Sequence, residues 1–95
     1  MNYNSVPGSS NEHNVTIYAL STCPHCTKAK NYFSEKKISY KYINVDLATR
    51  DEKREVALFL KKHNMPIAFP VIVIDEAVIQ GFNLNEIEKY LSPIT

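Results

Sequence analysis

Two cysteines separated by two residues, Cys23-Pro24-His25-Cys26, follow directly on the apolar, β-branched run Val15-Thr16-Ile17-Tyr18-Ala19-Leu20 and the short link Ser21-Thr22. That junction constrains the fold more than any other feature of the chain. The run before it reads as a strand. The proline after the first cysteine suits the first position of a helix, where a missing N–H leaves no bond unmade. Cys23 then falls at the helix N-cap, facing unpaired backbone N–H groups and the positive end of the helix dipole. Both favour a thiolate over a thiol. A second thiol one turn behind the first supplies what thiol–disulfide exchange needs.

The rest of the sequence narrows the setting. With 95 residues, one domain is expected. A formal net charge of +1 gives no reason to expect nucleic acid or a membrane surface as partner. No apolar run approaches the roughly 18 residues that span a bilayer. Residues 1–13 are rich in Asn, Ser and polar side chains without periodicity and read as a flexible tail, with one domain over residues 14–95. That start has no apolar stretch of the kind a secretory signal carries, so a cytoplasmic protein is expected. There, a lone close cysteine pair points to catalysis or metal binding more than to a structural staple.

From Pro24 to about Lys36 the pattern is helical. Cys26, Ala29 and Phe33 form one face, and Lys28, Lys30 and Lys36 turn to water. Tyr40 to Val45 reads as a second strand, and Asp51 to His63 as a helix with acids early and Lys61, Lys62 and His63 late. Val71-Ile72-Val73-Ile74 and Ala77-Val78-Ile79-Gln80, separated by Asp75-Glu76, read as a hairpin. Leu84, Ile87 and Leu91 mark a last amphipathic helix. The order is strand, helix, strand, helix, strand, strand, helix. The predicted architecture is α/β: a four-stranded mixed sheet flanked by three helices.

This arrangement resembles the glutaredoxin branch of the thioredoxin fold. The likeness rests on Cys23-Pro24-His25-Cys26 after a strand, Phe69-Pro70-Val71 opening a strand, and Gly81 after the hairpin. It covers about Val15 to Leu91. The resemblance implies a thiol–disulfide oxidoreductase with Cys23 as nucleophile and Cys26 as resolving thiol. It also implies a cis bond before Pro70, with Phe69, Pro70, Gly81, Phe82 and Asn83 beside the substrate or glutathione. Thr22, Pro24 and His25 flank the nucleophile, where they tune its acidity; a protonated His25 ring stabilises a thiolate by charge. The implied partners are disulfide-containing proteins, with glutathione as co-substrate or a thioredoxin-reductase-type enzyme as reductant. The expected protein is a monomer without a tightly bound cofactor.

Two positions bear on the reductant. Many glutathione-using members carry a lysine three residues before the nucleophile, where this chain has Leu20. They also carry a Gly-Gly pair after the hairpin, where this chain has Gly81-Phe82-Asn83-Leu84. Gly-Phe there is similar to the redoxins that serve ribonucleotide reductase and are reduced by thioredoxin reductase. A different class of function stays open, an iron–sulfur cluster carried between two chains. Zinc commonly takes its four ligands from two cysteine pairs; the chain has one pair, and His13, His25 and His63 show no ligand spacing.

Overall fold

The computed structural model describes residues 2–91. Five strands are present: β1 (Asn4–Val6), β2 (Val15–Ala19), β3 (Tyr40–Asn44), β4 (Val71–Ile74) and β5 (Ala77–Gln80). Three helices join them: α1 (Pro24–Glu35), α2 (Arg50–Lys62) and α3 (Leu84–Leu91). The sheet order is β1-β3-β2-β4-β5. β2 and β3 run parallel, as a strand–helix–strand crossover requires. β4 is antiparallel to β2, and β5 closes the hairpin antiparallel to β4.

The fifth strand corrects the four-stranded expectation, and it comes from the segment read as a tail. Asn4, Ser5 and Val6 pair with Tyr42, Lys41 and Tyr40 along the outer edge of β3. Farther on, the Ser10 N–H donates to the Lys37 carbonyl at 2.9 Å, and the Ser39 N–H donates to the Ser10 carbonyl at 2.8 Å. Gly8 makes the passage possible, since a Cβ there would lie 2.5 Å from the Lys37 carbonyl oxygen. A three-residue strand held through its backbone leaves no apolar alternation in the sequence to find it by.

Side chains alternate across the central strands and fill two layers. Val15, Ile17 and Ala19 of β2 join Ile72 and Ile74 of β4, Ala29 and Phe33 of α1, and Ile87 of α3. On the other face Tyr18, Ile43 and Val71 meet Val56 and Leu60 of α2. Each fully buried Ile, Leu or Phe contributes about 1.5–3 kcal/mol, so β2, buried along its whole length, is fixed in position. Helix α2 starts on a reciprocal cap. Thr49 Oγ1 accepts from the Glu52 N–H at 3.1 Å, and the Glu52 carboxylate accepts from the Thr49 N–H at 3.0 Å.

Candidate active site

Cys23 is the N-cap of α1, with φ −91° and ψ 117°, and Pro24 opens the first turn. The sequence reading of the junction is therefore realised in the backbone. The Cys23 sulfur accepts the Cys26 N–H at 3.4 Å. Behind it, the Cys26 sulfur accepts the Leu20 N–H at 3.5 Å. Both cysteines are free thiols, Cys23 half-buried and Cys26 buried. The loop before them is anchored by Ser21, whose N–H and hydroxyl both donate to the Asp46 carboxylate.

The two sulfurs differ in acidity. Burial pushes Cys23 up. The hydrogen bond from the Cys26 thiol, the N–H groups of Cys26 and His25, and the positive charge of Lys30 outweigh it, so its pKa lies below the ordinary thiol value. Cys26 is pushed up to about 12, first by burial and then by its hydrogen bond to Cys23 and the charge there, against the opposing Leu20 N–H and Lys30. Of the two, the accessible sulfur is therefore the first to become a thiolate. Such a thiolate can attack a disulfide, and the neighbouring thiol is placed to follow.

The structure positions the remaining expected site residues as follows. Thr22, Pro24 and His25 are exposed around the nucleophile. The action of His25 on the sulfur runs through its main-chain N–H. The Phe69–Pro70 bond is cis. Pro70 is buried, and its carbonyl accepts the Gly81 N–H at 2.7 Å. The loop ahead of it is tied down by Gln80, whose amide donates to the Pro66 carbonyl at 2.8 Å and the Ala68 carbonyl at 3.3 Å. Gly81 has φ 82°, a conformation that favours glycine. Phe82 packs edge-on against Tyr32 with ring centres 6.1 Å apart. Cys23, Phe69 and Phe82 all rest half-buried on the same core cluster. Asn83 caps α3, its side-chain oxygen accepting from the Glu86 N–H at 3.3 Å. Gln80, Gly81, Phe82, Asn83 and the first residues of α3 line an open depression of about 370 Å³.

Sequence reasoning missed three contributors. The Leu20 N–H and Asp46 act on this loop through contacts that spacing does not encode. Lys30, read as facing water, is half-buried and bonded to Asn44; its position four residues after Cys26 is the signal that was available. Among the described residues, no group of three or more His, Cys, Asp and Glu side chains is arranged to hold a metal ion. Among them, too, no helix is long and apolar enough to cross a membrane.

Known proteins agree with this geometry. The Glutaredoxin family pattern matches residues 15–79. Glutaredoxin 1 of Rickettsia conorii is 36% identical over 78 residues, covering 81% of this chain and 74% of that protein. The glutaredoxin-like protein NrdH of Lactococcus lactis subsp. cremoris is 28% identical over 75 residues, covering 79% of this chain and 96% of that one. The crystal structure of the glutaredoxin from Methanosarcina mazei superposes with a TM-score of 0.81 at 30% identity, covering 92% of this chain and 84% of that chain. The thioredoxin-like fold, the dithiol at the strand–helix junction and these similarities lead to one conclusion: the chain belongs to the glutaredoxin family of thiol–disulfide oxidoreductases.

Proposed function

We propose that the chain reduces protein or glutathione mixed disulfides by a dithiol mechanism in which Cys23 attacks and Cys26 resolves. The observation that carries this reading is the asymmetry of the pair, an accessible low-pKa sulfur backed by a buried high-pKa thiol. The Cys23 thiolate attacks one sulfur of the substrate disulfide. A mixed disulfide forms, and the other substrate sulfur leaves as a thiolate and takes up a proton. Two causes that hold the Cys26 proton, the hydrogen bond to Cys23 and its negative charge, vanish once Cys23 is in the mixed disulfide. Cys26 then loses its proton and attacks the Cys23 sulfur. The second substrate sulfur leaves, and the Cys23–Cys26 disulfide holds the oxidation. A reductant returns two electrons to restore the dithiol. The two sulfurs carry the whole exchange, so the scheme needs no bound cofactor.

The groove beside Cys23 is assigned to Phe69, Pro70, Gly81, Phe82 and Asn83, with Thr22 at its mouth. Glutathione is the proposed co-substrate. A second reading has a thioredoxin-reductase-type enzyme as reductant and ribonucleotide reductase as the protein served. Leu20 in place of a lysine, Gly81-Phe82 after the hairpin, and the similarity to the Lactococcus NrdH protein favour it. A coupled assay with NADPH separates the two. Turnover of a disulfide substrate with glutathione and glutathione reductase supports the first. Turnover only with thioredoxin reductase supports the second. Turnover with neither overturns both.

A further inference from the structure

Cys23 caps α1, and Cys26 and Lys30 stand four positions apart on it, the spacing that stacks side chains along one helix face. Side chains of a helix lean toward its N-terminus, so the Lys30 ammonium reaches back toward the dithiol. Two partners fix it there. Its Nζ donates to Asn44 Oδ1 at 3.1 Å and lies 4.1 Å from the centre of the Tyr42 ring. Asn44 ends β3 and pairs with Ala19, which ends β2. The next residue, Leu20, gives its N–H to the Cys26 sulfur. The tethered ammonium therefore stands at the height of the dithiol along the strands. Lys30 is half-buried where Lys28 is exposed, and a partly buried charge is screened less by water and salt.

We propose that Lys30 is a positioning residue of the dithiol: its tethered ammonium stabilises the Cys23 thiolate from behind. The proposal rests on the reading of Cys23 as nucleophile. The positive charge of Lys30 favours the charged form of both sulfurs, in keeping with this placement. Cys23 gains more in practice, because it is the sulfur that ionises first.

The test is the pH dependence of Cys23 alkylation in the reduced, full-length chain. Iodoacetamide is the probe, and mass spectrometry identifies the modified residue. Lys30→Gln keeps a polar side chain and removes the charge. It is expected to raise the alkylation midpoint by about half to one pH unit, the size of a Coulomb interaction across several ångströms at a part-buried site. Lys30→Arg keeps the midpoint close to that of the unaltered chain. Asn44→Ala frees the ammonium without removing it and raises the midpoint less. A Lys30→Gln midpoint equal to the unaltered one overturns the proposal even if the melting temperature falls, because a purely structural tether alters stability and leaves acidity alone. Should Lys30→Gln fail to fold, the Asn44→Ala midpoint decides, and no rise there overturns the proposal. Alkylation needs neither substrate nor reductant. Loss of the nucleophile reading in the turnover assay is thus distinguishable from loss of this one.

Discussion

The two ends of β2 hold charge in opposite ways. At its carboxyl end the Cys23 sulfur receives the Cys26 N–H at 3.4 Å, and the Cys26 sulfur receives the Leu20 N–H at 3.5 Å. All of these groups lie between Leu20 and Cys26. At the amino end, the His13 ring links two distant residues, Asp75 and Leu91, and the Asp75 carboxylate also takes the N–H of Asn14. His13 Nδ1 lies 2.7 Å from Asp75 Oδ2, and the Asn14 N–H donates to Asp75 Oδ1 at 2.9 Å. His13 Nε2 lies 3.1 Å from the Leu91 carbonyl oxygen. Both partners of the ring are acceptors, so it satisfies both only when both nitrogens carry protons. The contrast separates two uses of a charge. A sulfur stabilised enough to ionise but left partly exposed remains a nucleophile. A carboxylate gripped by short bonds from His13 and Asn14 becomes a fastening.

The largest effect expected from breaking this contrast is at Cys23. Cys23→Ser abolishes disulfide reduction in a turnover assay while the thermal melt stays near that of the unaltered chain. Cys26→Ser accumulates mixed disulfides with protein substrates, visible by mass spectrometry, and spares reduction of glutathionylated substrates, which glutathione resolves from outside. Reduction of protein disulfides by Cys26→Ser at the full rate would sink the dithiol mechanism.

A smaller effect sharpens the sulfur side of the comparison. Cys26→Ala removes the thiol that donates to Cys23. The Cys23 alkylation midpoint should rise by about one pH unit, the value of one hydrogen bond to a charged group. An unchanged midpoint would assign the acidity of Cys23 to the helix start and Lys30.

The smallest effect is at the fastening. The hydrogen bond to Asp75 raises the His13 pKa above its ordinary 6.5 against the opposing cost of burial, with the Leu91 carbonyl and the charges of Asp75 and Glu12 adding to it. The Asn14 N–H and then His13 lower Asp75 below its ordinary 3.8. The His13 contribution is therefore whole below 6.5 and fades as pH rises through the raised value. That of Asp75 is whole above 3.8 and fades as pH falls through the lowered value. His13→Ala should lower the melting temperature by a few degrees near about pH 6 and by less near about pH 9. An equal loss at both would mean that the ring acts by packing.

The same contrast explains what the sequence disclosed. The dithiol end was legible because its parts are contiguous: a strand, a proline at the first helical position and two cysteines at fixed spacing. The main helices and the hairpin were legible from periodicity, with ends within about a residue of those observed. The His13–Asp75 contact joins residues 62 apart, and neither residue type signals a partner at that distance. Strand β1 is held by backbone pairing that polar side chains do not report. Lys30 shows a third kind of gap. Its spacing from Cys26 was visible, but whether a helical lysine meets water or a strand end depends on the sheet behind it.

Strand β1 also decides how the sheet ends. On that side the outermost strand is three residues long, a rim of about 10 Å, where β3 alone would offer five residues. A short rim gives a foreign strand few backbone groups to pair with. The opening segment of the chain thus works as a bumper. It blunts that margin of the sheet against pairing with a second copy.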